Sequence, residues 1–295
     1  MQIMEPTGRI VALREQTLAS PMMAELPQHT WGPRRELLLW EGWVASAGQP
    51  TTRLRRCASR AYRMDHNAVV INDLELIVGV PDNSALTDDE QARMAKMSEV
   101  ASCIPPVRGI YDHMAMDYGK LIRVGVEGLI AEIEERREGL DPRRPDSIAK
   151  DEFYCGCLIE LQALLRMAGR YVEHARALAE TAPPERAAEL REIADILEKV
   201  PARPAETFRE ALQSIHFYTF MLWGDYQLGR PDQLLLDLYR ADVAAGRLTP
   251  ESALELIDCF CLLYSVCHPK GSAVGFMVGG RDAEGRAVHN ELTNL

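Results

Sequence analysis

The run Tyr111-Asp112-His113-Met114-Ala115-Met116-Asp117-Tyr118 sets an imidazole, His113, four residues ahead of a carboxylate, Asp117. When such groups share a cavity they can polarise a leaving hydroxyl and accept its proton, because histidine titrates near neutrality. The same residues have a plain structural use: Asp117 is placed to cap a helix starting at Gly119, and His113 can be a satisfied loop histidine. A second polar group, Asp225 and Tyr226, stands in Trp223-Gly224-Asp225-Tyr226-Gln227 just before the turn Gly229-Arg230-Pro231-Asp232-Gln233. Its structural reading is a loop-packing tyrosine beside a solvated aspartate. Within the turn, Arg230 and Asp232 are expected to form an ion pair that fixes it.

The seven cysteines (Cys57, Cys103, Cys155, Cys157, Cys259, Cys261, Cys267) are an odd count without a secretion signal, which points to reduced thiols. Both C-x-C pairs lie in segments of helical period, where residues two apart face nearly opposite ways and do not readily share one metal. We expect no metal site and buried structural roles for all seven. His216 reads as a core histidine and His174 as an exposed one. Gly279-Gly280 lacks the spacing of a dinucleotide site, and the sequence has no G-x-S-x-G, Walker A or H-E-x-x-H string.

Composition narrows the class. The chain has 295 residues, 47% hydrophobic and 26% charged, enough to bury a large core. A net charge of −11 argues against a nucleic-acid partner, and Arg53-Leu54-Arg55-Arg56 reads as a solvated helix face. No apolar run approaches the roughly 20 residues needed to span a bilayer, so no membrane partner is expected and a cytoplasmic location is.

The elements that must position these residues are mostly helical. Residues 1–28, punctuated by Pro6, Pro21 and Pro27, read as an irregular lead-in, and 29–295 as a single unit. Helices are expected over 33–47, 52–66, 119–139, 150–181, 185–200, 207–223, 234–245 and 249–267, with a short one between 82 and 107. Thr249 followed by Pro250 is a strong helix start. Residues 68–71 and 74–78, flanking Asn72-Asp73, read as two short strands, and 273–278 as a third. Asn290 would cap a helix beginning at Glu291 that Leu295 leaves incomplete, so the chain is expected to be the front part of something longer.

Several strings together resemble the glycyl radical enzymes, the family of pyruvate formate-lyase and the radical dehydratases. They are Thr207-Phe208-Arg209-Glu210-Ala211-Leu212-Gln213-Ser214, the 229–233 turn, Val278-Gly279-Gly280-Arg281-Asp282, Asn290-Glu291-Leu292-Thr293 and Glu75-Leu76-Ile77-Val78-Gly79. The resemblance implies an α/β fold, of which this chain is the mostly helical N-terminal portion of a ten-stranded α/β barrel. It implies a glycyl radical in a missing C-terminal part, installed by an activase that uses S-adenosylmethionine and an iron–sulfur cluster, and a catalytic cysteine on a mid-barrel loop. No catalytic residue is expected in this chain, which would end before that loop, and no cofactor is bound by it. In dehydratase-like members a histidine followed by Asp-Tyr contacts the substrate, which gives His113 and Asp117 that role and argues against pyruvate. Asp225 and Tyr226 replace a serine-containing substrate segment. The complete enzyme would be a homodimer acting by dehydration or C–X or C–C cleavage on a small oxygenated metabolite. The alternative is a non-catalytic helical binding protein derived from that family.

Overall fold

No proline falls between Ser147 and Ala182, while Leu158, Leu161, Leu164, Ala168, Tyr171, Val172, Ala175 and Ala179 recur at three- and four-residue spacing. That pattern makes one apolar stripe on a helix, and the stripe is buried along Ser147–Ala179. In the computed structural model, which describes residues 5–20, 32–82, 84–105, 114, 116–222, 227–267 and 275–295, the helices run in this order: α1 (Gly8–Leu18), α2 (Pro33–Ala45), α3 (Thr52–His66), α4 (Asp88–Cys103), α5 (Tyr118–Glu138), α6 (Ser147–Ala179), α7 (Pro184–Lys199), α8 (Phe208–Leu222), α9 (Pro231–Leu234), α10 (Leu236–Ala244) and α11 (Pro250–Val266). A 3₁₀ turn covers Leu292–Asn294.

Helix α6 packs against α3, α5 and α7, and α2 lies across both α3 and α4. The α2–α3 crossing is close because Gly42 has no side chain: a Cβ there would sit 2.7 Å from the Ser59 carbonyl oxygen. Helix α8 sits at the centre. Phe208, Leu212, Ile215, Phe217 and Phe220 are buried, and so are the polar Gln213, Ser214, His216 and Thr219. A helix buried on every side must find partners for those polar groups. Its start is doubly held: Thr207 Oγ1 accepts the Glu210 amide at 3.2 Å while Glu210 accepts the Thr207 amide, and Asp242 Oδ2 accepts the Phe208 amide at 2.8 Å.

Helix α5 is interrupted at Gly125, whose φ of 65° is open to glycine at little cost. The break frees the Val126 and Glu127 amides to bond the Pro201 and Ala202 carbonyls at 2.8 and 2.9 Å, docking the α7–α8 connection onto α5.

Three expectations need correction. The lead-in is not irregular throughout: α1 forms within it, starting from Thr7, whose hydroxyl accepts the Ile10 amide, and packs on α11 with Ile10 and Leu13 buried. Exposed Val11 and Leu18 obscure its period. Second, 68–71 and 74–78 form no strand, although Ile77 and Val78 are fully buried. Side chains take the place of a neighbouring strand. Arg9 donates to the Leu74 carbonyl at 3.3 Å, Arg186 to the Glu75 carbonyl at 2.9 Å, and Arg209 to the Leu76 carbonyl at 2.9 Å. Gln213 holds both backbone groups of Val78, at 2.9 and 2.8 Å, and the Nε2 of His216 meets the Gly79 carbonyl at 2.6 Å. An extended chain satisfied in this way has no need of a sheet. Third, the part of the 273–278 strand that is described, 275–278, makes only a single parallel bridge, Phe276 to Gly229. Among the described residues the fold is therefore helical, without a strand, and no helix is long and apolar enough to cross a membrane.

The expected 234–245 helix forms as α10, Leu236–Ala244, and the turn before it closes into the one-turn α9, Pro231–Leu234. The arginine cluster of α3 is a solvated face only at Arg53, which is exposed. Arg55 lies over the Trp43 ring at 4.1 Å and donates to the Trp43 carbonyl, while Arg56 reaches the Pro105 carbonyl.

Candidate functional site

Three chain segments meet at Gln227. Its backbone amide donates to the Met114 carbonyl at 2.9 Å, and its side-chain Oε1 accepts the Gly275 amide at 2.8 Å. The contact then runs on between the 227–232 and 275–279 segments. The Leu228 amide donates to the Gly275 carbonyl at 3.3 Å and the Met277 amide to the Gly229 carbonyl at 2.8 Å. At the far end Asp232 Oδ2 accepts the Gly279 amide at 2.7 Å, and the Arg230 guanidinium donates to the Gly279 carbonyl.

Asp232 is the buried charge of this junction. Its Oδ2 also accepts the Thr293 hydroxyl at 2.7 Å and the Gln233 amide at 2.9 Å, and its backbone carbonyl accepts from Asn290 Nδ2 at 3.1 Å. Burial alone would raise its carboxyl, but the bonds from Thr293, Gly279 and Gln233, with Arg230 nearby, outweigh that and hold it below the ordinary carboxylate range. The expected direct Arg230–Asp232 ion pair is replaced by a shared grip on Gly279. Asn290 turns the chain as expected, its Oδ1 accepting the Leu292 and Thr293 amides, but the chain then enters the 3₁₀ turn and not an α-helix. Beneath the junction lies a cavity of about 340 Å³ with apolar walls that include Phe208, Leu212, Phe260, Phe276 and Val278; Asp232, Asp258 and Thr293 are among its polar lining.

Of the four candidate substrate residues His113, Asp117, Asp225 and Tyr226, Asp117 is the one described. Its Oδ1 accepts the Lys120 amide at 2.9 Å, the N-cap of α5, and the adjacent Tyr118 is buried with its hydroxyl 3.4 Å from Thr219 Oγ1. His113, Asp225 and Tyr226 lie outside the described residues. Their chain neighbours Met114 and Gln227 are the pair joined by the 2.9 Å hydrogen bond, so the two stretches singled out separately in the sequence adjoin one junction. Gln227 itself escaped sequence reading. A lone glutamine next to a turn carries no pattern, and its role depends on Gly275, 48 positions away.

A second polar centre, also unread in the sequence, lies behind the 72–79 segment. Glu75 is fully buried, with its carboxylate accepting the Asn72 amide at 3.1 Å and Asn72 Nδ2 at 2.5 Å. Burial pushes it up to about 7, while Asn72 and Arg186 pull the other way. Tyr171 and Cys267 face it, and both are raised, first by burial and then by the Glu75 charge. Burial opposes ionisation of several thiols, which are not poised for nucleophilic work. Burial raises Cys259 and Cys261 to about 11 and Cys57 to about 12. The Sγ of Cys259 lies 3.4 Å from the Leu76 amide, whereas Cys261 lines the apolar cavity, so this C-x-C pair does face two ways. Cys259 and Cys267 are buried as expected, but Cys103 is exposed and the other four are half-buried. His216 is a core histidine, and His174 is half-buried, not exposed. Among the described residues no cluster of three or more His, Cys, Asp or Glu could hold a metal ion.

Residues 82–295 match the family model described as pyruvate formate lyase-like. The chain is 33% identical over 200 residues to isethionate sulfite-lyase of Bilophila wadsworthia, an alignment covering 61% of this chain and 24% of that protein. It is 32% identical over 202 residues to (2S)-3-sulfopropanediol dehydratase of Klebsiella oxytoca, covering 62% and 24%. A glycyl radical enzyme from Archaeoglobus fulgidus superposes with a TM-score of 0.82 at 23% identity, over 97% of this chain and 45% of that one. The chain thus spans about a quarter of the length of the curated relatives it matches.

Proposed function

The chain belongs to the pyruvate formate lyase-like family of glycyl radical enzymes, and on that premise we propose that it is the N-terminal part of a radical lyase or dehydratase acting on a small oxygenated metabolite. The radical glycine and the cysteine it activates would lie in the part of the relatives that this chain does not span, with a separate S-adenosylmethionine-dependent iron–sulfur protein as activase. Their thiyl radical would supply hydrogen abstraction from the substrate carbon. Of the described thiols, Cys259 and Cys267 do not fit that task, being buried and turned onto the 76–79 backbone.

The contribution of this chain is one wall of the substrate pocket. The observation that carries this reading is the Gln227-to-Met114 hydrogen bond, which ties the His113 stretch to the Asp225–Tyr226 stretch. His113 would meet a substrate hydroxyl or carboxyl and pass a proton to or from it. Asp225 and Tyr226 would set the shape and polarity opposite, and Asp117 would fix the start of α5. Completion of an α/β barrel, a homodimer and a cytoplasmic location go with this reading.

The test is the longer polypeptide, produced anaerobically with its activase and S-adenosylmethionine. We expect an organic radical in its electron paramagnetic resonance spectrum and turnover of a hydroxylated or sulfonated C2–C3 substrate. His113→Ala should lower kcat/KM by about 10²-fold or more with the radical signal intact. A radical-bearing enzyme indifferent to His113→Ala would remove that residue from the pocket. A native protein with neither radical nor turnover would favour the non-catalytic binding protein.

A further inference from the structure

We infer that Gln227 is a positioning residue whose side-chain oxygen sets the register of three pocket-forming segments. The inference rests on the proposed pocket wall but concerns a residue that neither the sequence motifs nor the comparisons assign. A backbone N–H can only donate, so the atom of Gln227 that meets the Gly275 amide at 2.8 Å is its Oε1 acceptor. The same residue's backbone amide is committed to the Met114 carbonyl at 2.9 Å. One residue therefore holds both neighbouring segments, one through its main chain and one through its side chain.

The fit at Gly275 is close. A Cβ added there would lie 3.0 Å from Gln227 Oε1, so a side chain at 275 would crowd the glutamine carboxamide and push it back by a few tenths of an ångström. Beyond this point the 227–229 and 275–277 backbones pair through the Leu228 and Met277 amides. The Gln227 bond thus sits at the first rung, where the register of the remaining rungs is set. A misplacement of about 1 Å at a pocket wall is enough to cost about 10²-fold in rate, which gives such a register contact functional weight.

The proposal separates substitutions that look alike. Gln227→Glu keeps an acceptor at the same reach, whereas Gln227→Leu keeps volume and loses the acceptor. Gly275→Ala attacks the same contact from the opposite side. Hydrogen exchange on the 295-residue chain reads the bond directly. We expect the Gly275 amide to exchange about tenfold faster in Gln227→Leu than in the wild type, the amide at the same position in Gly275→Ala likewise, and the Gly275 amide within about threefold of wild type in Gln227→Glu. In the activated longer enzyme, Gln227→Leu should raise KM and lower kcat, with Gln227→Glu restoring most of the loss. If Gln227→Leu leaves Gly275 exchange unchanged, or if Gln227→Glu fails as Gln227→Leu does while folded, the inference is overturned. Faster exchange with unaltered kinetics overturns it too, since the register would then not matter to the pocket. Should Gln227→Leu not fold, Gly275→Ala and Gln227→Glu carry the comparison. A longer protein without radical chemistry would sink the proposed function alone, because the exchange result stands without it.

Discussion

Arg230 and Asp232 grip the two ends of one distant residue: the Arg230 guanidinium donates to the Gly279 carbonyl, and the Asp232 carboxylate accepts the Gly279 amide at 2.7 Å. The two side chains, two positions apart, thereby bolt the 229–233 turn to the Gly279-Gly280 turn. Asp232 is 3% exposed and also takes the Thr293 hydroxyl and the Gln233 amide, so removing it strands several donors at once. At about 1–3 kcal/mol per stranded buried group, Asp232→Ala should cost about 3 kcal/mol or more in urea unfolding. Arg230→Ala should cost about 1 kcal/mol, because the guanidinium is only half-buried. The reverse ranking would mean that the arginine, and not the carboxylate, organises the junction.

Glu75 gives the stability of this protein a specific pH dependence. Burial raises its carboxyl from 4.5 to about 7. A carboxyl whose folded value exceeds its unfolded value favours the folded state most below the lower of the two. That contribution is lost as pH rises from about 4.5 to about 7, and it amounts to about 3 kcal/mol. Asn72, Arg186, Tyr171, Cys259 and Cys267 are the groups that face it, and of these only Arg186 favours ionisation through its charge. In Glu75→Gln the fall in stability between about pH 5 and about pH 8 should be shallower than in the wild type by that amount. Parallel stability–pH curves for the two proteins would contradict this.

Gln213 acts as a substitute strand. Its amide meets the Val78 N–H at 2.9 Å and the Val78 carbonyl at 2.8 Å, in surroundings closed to water. Gln213→Leu should therefore cost about 2–4 kcal/mol, from two buried backbone groups left without partners. Gln213→Glu, which keeps the acceptor and loses the donor, should be destabilising as well, since it also buries a charge. Thermal unfolding of Gln213→Leu within about 0.5 kcal/mol of wild type would show that water reaches Val78.

Asp117 can be assigned by comparing two substitutions. As the N-cap of α5, it should lose about 1 kcal/mol of stability on change to Ala and little on change to Ser, which can also cap. A substrate contact would not be rescued in that way. If Asp117→Ser restores stability but leaves kcat/KM of the longer enzyme depressed about tenfold or more, the residue serves the pocket as well as the helix.

The sequence by itself determined most of the helices after residue 28 and several of their caps. Their signals are local: the apolar period of 147–179, Thr249 ahead of Pro250, Asp117 ahead of Gly119 and the prolines at 183 and 184 each act within a turn or two of chain. The family was legible too, because its motif strings are short and contiguous. Only the tertiary structure decided how the 74–79 segment is satisfied. An apolar, β-branched run reads as a strand, but whether its backbone meets another strand or the side chains of Arg9, Arg186, Arg209, Gln213 and His216 depends on helices 65 to 137 residues away. The same holds for the candidate site. Gln227, Met114 and Gly275 carry no mutual signal along the chain, and neither do Asp232 and Gly279. A hydrogen bond forms between atoms about 3 Å apart in space, and the packing of α5, α8 and α11 is what brings these segments to that distance.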